Sequence, residues 1–433
     1  MKEHGDTKPA LARTMGLGAL IIYGVGDMLG AGIYALIGKA AGMMGNAVWL
    51  AFVASMVAAA CTGLSYAALG SRHPRAAGVA YISQRAFGWP FLSYMVGLAS
   101  VAAGLASMAA GSNAFAGYLL GKESGYLAVV IVVYIAALTF ISFWGMREST
   151  WLNALCTGIE GAGLLVVIAV GARYWGGVNY LETPASAGAI TAPLVLSGAV
   201  LTFYSFVGFE DMINVTEEVK EPERNFPIAI VVALAITTLI YITVAVTAVS
   251  VVPHAELAAS SEPLVEVVRR AAPWFPPAVF SFIALFAITN TGLLNFITGT
   301  RLAYGLARQG LVPRVLGKVH PRRKTPHVAI LALMVIVLAL ALTGNVKQLA
   351  SATSVLLLAV FVVVNASLIV LKLRPGEPRG RFEVPLFVPI AGIIVCAVIL
   401  WHADRAAMLI AAWMLAGIAA LYLVMRSKNP VPE

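Results

Sequence analysis

The sequence predicts an all-α membrane protein with twelve transmembrane helices. Of its 433 residues, 60% are apolar and only 11% are charged, whereas a soluble protein has roughly 45–50% apolar and about 25% charged residues. The apolar residues form long segments, and the basic residues gather in the connectors between them. Because a water-exposed surface on a chain of this length needs many more charges, the composition excludes a soluble enzyme, a nucleic-acid-binding protein and a disordered chain.

The formal charge of +9 comes from 29 Lys and Arg against 20 Asp and Glu. In a membrane protein such a small excess is typical of cytoplasmic connectors and indicates no nucleic-acid partner. The three cysteines lie far apart in apolar segments, a pattern that predicts neither disulfides nor a zinc site. Residues 1–15 are polar and lead into the first apolar segment without a signal-peptide cleavage site, so we expect a cytoplasmic N-terminal tail.

Twelve segments meet the requirement of a transmembrane helix for about 20 mostly apolar residues. They span residues 16–38, 46–69, 91–120, 126–145, 152–172, 192–216, 227–251, 277–303, 327–344, 348–371, 385–402 and 406–425. If both ends lie on one side, that side collects 22 of the 29 Lys and Arg residues, and the other side has 7. The positive-inside rule therefore predicts a multi-pass protein of the cell membrane with both termini, including residues 426–433, in the cytoplasm.

No hydrophilic domain separates the apolar segments. The longest outer connector, about 252–276, is compatible with a short amphipathic helix. The glycine-rich stretch 23–32 lacks the G-x-G-x-x-G spacing and follows no predicted strand, so it predicts no dinucleotide site. The sequence thus predicts no enzyme activity or catalytic residue, no cofactor, no bound metal and no transport driven by ATP hydrolysis.

Glycines interrupt the first apolar segment. Gly26, Gly30 and Gly32 lie in its middle together with Asp27. Each glycine costs a helix about 1 kcal/mol relative to alanine, and unwound backbone at membrane depth persists only where it is buried in protein or lines a cavity. We therefore predict a broken helix at Gly30-Ala31-Gly32; the alternative is that the small residues only allow close helix packing.

The sixth apolar segment has a similar interruption. Gly208 lies between Val207 and Phe209, and two acids, Glu210 and Asp211, follow directly. Interrupted segments at corresponding positions of two halves indicate the substrate site of a secondary transporter. The first and sixth segments correspond if segments 1–5 and 6–10 are two copies in opposite orientation, although residue identity does not reveal such a repeat.

Four stretches of the chain follow one another in the order of a known family. They are Gly30-Ala31-Gly32-Ile33-Tyr34, then 203–210, then Glu217-Glu218-Val219-Lys220 followed by Pro222, Arg224 and Pro227, and finally Arg301-Leu302-Ala303-Tyr304 followed by 307–310 and Pro313. In these stretches the chain resembles the amino acid–polyamine–organocation (APC) superfamily. The resemblance implies an amino acid or amine transporter with a LeuT/APC-like fold, in which a five-plus-five inverted repeat contains discontinuous helices 1 and 6.

The resemblance also divides the chain. Residues 16–172 are expected to form the first repeat with helices 1–5, and residues 192–371 the second with helices 6–10. Residues 385–425 then hold helices 11 and 12, a scaffold or dimer surface, so a homodimer is left open.

An α-amino acid has a carboxylate and an ammonium group, and both need partners in a low-dielectric site. The second half of helix 1 offers backbone N–H groups and the positive end of its dipole near Gly30, which suits a carboxylate. The first half of helix 6 ends near Phe206 with free carbonyls, which suit an ammonium. The family resemblance implies the same roles. The predicted substrate-binding residues are Asp27, Gly30, Ala31, Gly32, Ile33, Tyr204, Phe206, Val207 and Gly208.

Tyr204 is expected to stack on the substrate, as the resemblance implies, or else to have a packing role. Asp27, Glu160 and Glu210 lie well inside apolar segments, and intramembrane carboxylates are functional by default. A buried carboxyl group can take up and release a proton near neutral pH. The resemblance implies a proton-sensitive gate at Glu210; the alternative is a structural hydrogen bond.

Glu160 departs from the family pattern, because many relatives have a lysine there whose ammonium replaces a sodium ion. A carboxylate cannot mimic a bound cation, but it can carry a proton or bind a cation. In the eighth segment, Thr289, Asn290 and Thr291 could supply oxygen ligands for sodium or could join helices. We predict proton coupling, with sodium as the alternative. The predicted coupling and gating residues are Glu160, Glu210, Thr289 and Asn290.

Asp27 leaves two interpretations open. A fixed anion would favour substrates with an extra positive charge, whereas a protonated or paired carboxyl would have no effect on selectivity. The leading hypothesis is a proton-coupled amino acid symporter of the lipid bilayer that works by alternating access. The alternative is a polyamine, amine or cationic amino acid carrier or exchanger, with sodium as a further option for the coupling ion. The sequence favours a carrier over a channel, because a channel would need a continuous polar stripe through several segments. It also favours a carrier over a sensor, because a sensor would need a soluble domain.

Overall fold

The computed structural model describes residues 15–73, 78–121, 124–144, 150–185, 187–308, 312–321, 323 and 325–428. Within these ranges the protein is all-helical and contains no β-strand. Its α-helices are α1 Leu17–Met28, α2 Ala31–Met44, α3 Val48–Arg72, α4 Val79–Phe87, α5 Pro90–Leu120, α6 Leu127–Trp144, α7 Thr150–Gly171, α8 Ala192–Phe203, α9 Pro222–Val251, α10 His254–Ala259, α11 Pro263–Ala271, α12 Pro277–Arg308, α13 His327–Thr343, α14 Val346–Leu373, α15 Phe387–Trp401 and α16 Arg405–Lys428.

The apolar helices confirm a multi-pass membrane protein. Among the described residues, eight helical segments are long and apolar enough to cross a membrane, the longest being Ala31–Arg72, which contains α2 and α3. Four shorter apolar helices, Leu17–Met28, Ala192–Phe206, His327–Thr343 and Phe387–Trp401, occupy the other predicted positions. Each of the twelve predicted apolar segments is thus helical, with interruptions in the first and the sixth. The number of membrane crossings stays a prediction. The outer connector forms two short helices, α10 and α11.

Local sequence signals fix several helix ends. The Thr191 side chain accepts a hydrogen bond from the Leu194 N–H and so caps α8. Asn345 and Gln348 form a reciprocal capping box at the start of α14. Such caps satisfy N–H groups that have no partner within the helix. Prolines at the first turns of α5, α8, α9 and α11 need no such partner, because proline has no N–H to satisfy.

The helices pack into two neighbouring groups. In the first group, α3 lies against α8 and α9, and α9 also lies against α1. In the second group, α5 lies between α12 and α14. α7 contacts both groups through α1, α9 and α12, whereas α15 and α16 cover α14 from outside. Helix α2 contacts the first group through α8 and the second through α12, so the break between α1 and α2 lies at the boundary of the groups, where it can line a cavity.

Contacts between connectors define the two ends of the bundle. At one end, which we name the Met15 face, the Lys220 N–H donates to the Met15 carbonyl at 2.8 Å. On the same face, Ser71 Oγ donates to the Glu223 carbonyl at 3.1 Å. At the opposite face, Asn46 Nδ2 donates to Glu182 Oε2 at 3.0 Å. The opposite face also carries α10 and α11, since Lys39 Nζ donates to the Ala258 carbonyl at 3.2 Å.

Ion pairs attach the connector after α14 to the Met15 face. Glu383 accepts from Arg72 Nε and Nη2 at 2.7 and 2.8 Å and from Lys372 Nζ at 2.7 Å. Arg85 on α4 donates to Glu377 at 2.7 Å. The Arg72 side chain is only 4% exposed. The Glu383 carboxylate that faces it therefore compensates the burial of its positive charge. These bonds hold α3, α4 and α14 together at one end.

We expect Glu383→Gln to lower the stability of the folded protein. Burial acts to raise the pKa of Glu383, but hydrogen bonds from Arg72, Lys372 and the Gly380 N–H outweigh it and lower the pKa to about 2. Loss of these charged hydrogen bonds should cost about 1.5–3 kcal/mol, measured as a lower thermal midpoint of the purified protein. The matched control is Glu256→Gln, which removes an exposed ion pair with Arg270 and should cost less than about 1 kcal/mol.

The same carboxylate predicts a pH dependence. Because its pKa is lowered in the folded protein, the stabilisation is complete above the ordinary value of 4.5 and is lost as the pH falls towards 2. The wild-type midpoint should therefore approach that of Glu383→Gln on acidification below about pH 4. A constant difference between the two proteins down to about pH 2 would contradict this account.

Candidate functional site

The first apolar segment is broken as its glycines predict. Helix α1 ends at Met28, and α2 begins at Ala31 after Leu29 and Gly30. The Ala31 N–H, which has no partner within α2, donates to Thr291 Oγ1 at 3.1 Å. The start of α2 therefore lies in the protein interior with the Ala31 N–H directed at α12, and the helix dipole there favours an anion.

The sixth apolar segment is broken at Val207 and Gly208. A 3₁₀ turn, Tyr204–Phe206, follows α8, and a 3₁₀ helix, Phe209–Glu218, follows the break. Gly208 has φ 127°, a backbone conformation that glycine adopts far more readily than other residues. Its N–H donates to Glu210 Oε2 at 2.9 Å. Glu210 thus stabilises the break itself.

The two breaks lie against each other. A Cβ atom on Gly208 would lie 2.8 Å from the carbonyl oxygen of Asp27. A Cβ on Gly32 would lie 2.5 Å from the Cα of Ser205. Backbone packed this closely leaves no room for a side chain at either glycine, so the contact itself requires glycine at both positions.

Tyr241 on α9 joins the ends of the two broken helices. Its fully buried hydroxyl lies within hydrogen-bonding distance of the Met28 carbonyl and, at 2.8 Å, of the Ser205 carbonyl. Both carbonyls belong to final turns, where helices leave their acceptors without partners. Since a hydroxyl has one proton, the two carbonyls share one donor. Met28 also lines the small cavity between the breaks, whereas Ser205 and Tyr241 are not among its lining residues.

A small cavity lies between the breaks. Its volume is about 10 Å³, room for about one water molecule. The cavity is lined by Asp27, Met28, Ala31, Gly32, Ser107, Tyr204, Val207, Gly208, Thr291 and Asn295. Six of the nine predicted substrate-binding residues are therefore among its walls. The other three, Gly30, Ile33 and Phe206, lie on the same segments but outside the lining.

Polar side chains from three helices meet at one wall of this cavity. The hydroxyls of Ser107 on α5 and Tyr204 are 2.9 Å apart. Asn295 Nδ2 on α12 donates to Ser107 Oγ at 3.2 Å. Ser107, Asn295 and Met28 were not predicted from the sequence, because each occurs in an apolar helix with no local signal. The hydrogen bonds of Tyr204 hold its ring at the cavity.

Glu160 lies in a separate buried site beside the first break. Its side chain is 0% exposed, and Oε1 accepts from Asn290 Nδ2 at 2.9 Å. Among the described residues, no donor reaches Oε2. Tyr34 on α2 donates to the Glu160 carbonyl at 2.7 Å. The site thus joins α2, α7 and α12 and leaves one carboxyl oxygen for a proton or a cation.

Thr289 does not take part in the Glu160 hydrogen bonds. Its hydroxyl donates to the Leu285 carbonyl of its own helix at 2.7 Å. Thr291, one residue beyond Asn290, instead contacts the first break through Ala31. The structure therefore brings together Glu160 and Asn290 from the predicted coupling set, while Glu210 contacts the second break and Thr289 contacts neither.

Comparison with known protein families decides the identity of the chain. The amino acid permease family model matches residues 16–403, a range that contains both breaks and Glu160. The chain belongs to the amino acid permease family. The predicted membership in the APC superfamily is confirmed, and the permease is a transporter and not an enzyme.

Relatives of this permease differ in their substrates. It is 27% identical to the branched-chain amino acid permease BcaP of Bacillus subtilis, over 98% of this chain and 95% of that protein. It is 30% identical to the methylthioribose transporter of the same bacterium, over 90% of this chain and 88% of the relative. It is 30% identical to cationic amino acid transporter 4 of Mus musculus, over 87% of this chain and 62% of the relative.

We expect Gly32→Ala to destabilise the permease strongly. The added methyl group would meet the Ser205 backbone at 2.5 Å and force the two breaks apart, at a cost of about 1–3 kcal/mol. Gly18→Ala on α1 is the matched control, because no atom lies within 4 Å of its added methyl group. Thermal midpoints of the two purified variants test the contact. Equal stability of both variants would show that the breaks are not packed as described.

Proposed function

We propose that this permease is a secondary active transporter that moves amino acids across the cytoplasmic membrane by alternating access. The observation that carries the proposal is the contact between the two helix breaks around a buried cavity. One break offers N–H groups at the start of α2, which suit a carboxylate. On the other side, the carbonyl of the cavity-lining residue Met28, which shares the Tyr241 hydroxyl proton with the Ser205 carbonyl, suits an ammonium. Together they match the backbone groups of an α-amino acid.

Twelve membrane crossings and a five-plus-five inverted repeat belong to this proposal. The eight long and four shorter apolar helices support twelve crossings, with residues 16–172 and 192–371 as the repeats. The Met15 face would be cytoplasmic, because its connectors contain most of the basic residues. The exposed aromatic side chains of Phe387, Trp401 and Trp413 on α15 and α16 would contact lipid or a second copy.

Proton coupling through Glu160 is part of the proposal. A buried carboxylate without a cation costs several kcal/mol, and among the described residues Oε2 accepts no hydrogen bond, so a proton or a cation at this oxygen would compensate its burial. The carboxyl group lies against α7 and, through Asn290, against α12, and its backbone carbonyl binds Tyr34 of α2. Loss of its proton would therefore change the electrostatic interactions of three helices around the first break. A sodium ion at Oε2 is the alternative coupling ion.

A cationic amino acid or amine is the second candidate substrate class. Asp27 supports it, because this carboxylate lines the cavity at the C-terminal end of α1, where a helix dipole disfavours an anion and favours a cation. Cationic amino acid transporter 4 is among the relatives. Arginine uptake that is lost in Asp27→Asn, with alanine uptake kept, would support this class.

We expect Glu160→Gln to uncouple transport from protons. Glutamine keeps the size and the Asn290 contact but cannot release a proton. In proteoliposomes, the variant should exchange labelled for unlabelled amino acid at a rate within about tenfold of wild type. It should fail to accumulate substrate when an inward proton gradient is imposed. The control Glu182→Gln changes a carboxylate on the opposite face and should accumulate substrate normally.

Three outcomes would contradict parts of this proposal. Gradient-driven accumulation by Glu160→Gln would exclude Glu160 as the proton carrier. Accumulation that requires a sodium gradient would identify sodium, and not the proton, as the coupling ion. Absence of exchange for every amino acid in wild-type proteoliposomes would contradict amino acid transport itself.

A further inference from the structure

A larger cavity lies beside the small one, nearer the Met15 face. Its volume is about 90 Å³, and it lies between α5, α12 and the residues that follow the second break. Val207 and Asn295 line both cavities. If the backbone groups of an α-amino acid bind at the two breaks that bound the small cavity, the adjoining space available for its side chain is the larger cavity.

The walls of the larger cavity are mainly glycine, alanine and aliphatic residues. Its polar members are Ser100, Glu210, Asp211, Asn295 and Thr298, of which Ser100, Glu210, Asp211 and Asn295 interact with other groups of the protein. Ser100 Oγ donates to the Val96 carbonyl at 3.2 Å, Glu210 Oε2 accepts from the Gly208 N–H, and Asn295 Nδ2 donates to Ser107. Apolar walls with few available polar groups favour an apolar side chain, because a polar one would lose its water without replacement bonds.

Two glycines in this cavity are not required by helix packing. A Cβ on Gly104 of α5 would lie no closer than 3.7 Å to any neighbour, the nearest being Asn295 Oδ1. A Cβ on Gly299 of α12 would lie no closer than 3.8 Å, with Leu333 as its nearest neighbour. Both distances are ordinary contacts, unlike the 2.5 Å at Gly32. Glycine lowers helix stability, and close packing does not require it at these two positions. The remaining effect of glycine here is to leave open volume in the cavity.

We propose that Gly104 and Gly299 set the size of a pocket for the substrate side chain, and that the preferred substrates are amino acids with large aliphatic side chains such as leucine. The inference rests on the proposed amino acid transport and adds its substrate class. A methyl group at either glycine shortens the pocket. Substrates that fill it lose affinity, whereas alanine, whose side chain ends before the glycines, does not.

The test compares leucine and alanine transport by full-length protein in proteoliposomes. Gly104→Ala and Gly299→Ala should each lower kcat/KM for leucine about 10-fold or more, the effect of one methylene in a fitted pocket, and change alanine transport less than about twofold. Gly111→Ala is the matched control. It lies two helical turns further along α5 on the same face, its added methyl would be 3.6 Å from Ile288, and it does not line the cavity. It should leave both substrates unchanged.

The outcomes separate this inference from the proposed function. Equal losses for leucine and alanine, or no loss for either, would overturn the side-chain pocket even while wild-type amino acid transport stands. Wild-type preference for arginine over leucine would overturn the aliphatic class. Failure of wild type to move any amino acid would overturn the proposed function together with the inference. Unchanged thermal midpoints of the glycine variants ensure that a loss of leucine transport is not a loss of folded protein.

Discussion

The contact between two unwound stretches of backbone is the constraint on which the rest of the structure depends. Broken helices leave N–H and carbonyl groups without partners, and in a membrane no water supplies them. Here the Ala31 N–H binds Thr291, the Gly208 N–H binds Glu210, and Tyr241 serves two carbonyls. Each partner comes from a helix or turn that must lie within hydrogen-bonding distance. The breaks therefore determine where α9 and α12 pack.

In the proposed function, the same constraint places three roles at different positions in the protein. The ends of the broken helices provide the groups for an amino acid backbone. The cavity between α5 and α12, with about 90 Å³, provides space for a side chain. Glu160, buried behind the first break and bonded to Asn290, provides a titratable group. Because α2, α7 and α12 meet at Glu160, a change in its charge would act on α2, which begins at the first break.

The sequence predicted the breaks well and their surroundings poorly. Glycine crowding near Gly30 and the Gly208 interruption are local signals, since glycine weakens any helix in which it occurs. Six of nine predicted residues line the small cavity because they belong to those two stretches. Ser107, Asn295 and Tyr241 come from other helices, and a single polar residue in an apolar helix has the same local pattern whether it faces a cavity or a neighbour. The predicted role of Thr289 stays a prediction, since its hydroxyl donates to the Leu285 carbonyl of its own helix.

The most direct test of the account is an experimentally determined structure of the protein with L-alanine bound. The account predicts the carboxylate about 3 Å from the backbone N–H groups at Gly30 to Gly32 and the ammonium at the carbonyls near Met28 and Ser205. It also predicts the alanine methyl group pointing towards Asn295. Density for alanine away from both breaks, or a continuous helix through residues 28–31, would contradict the central claim.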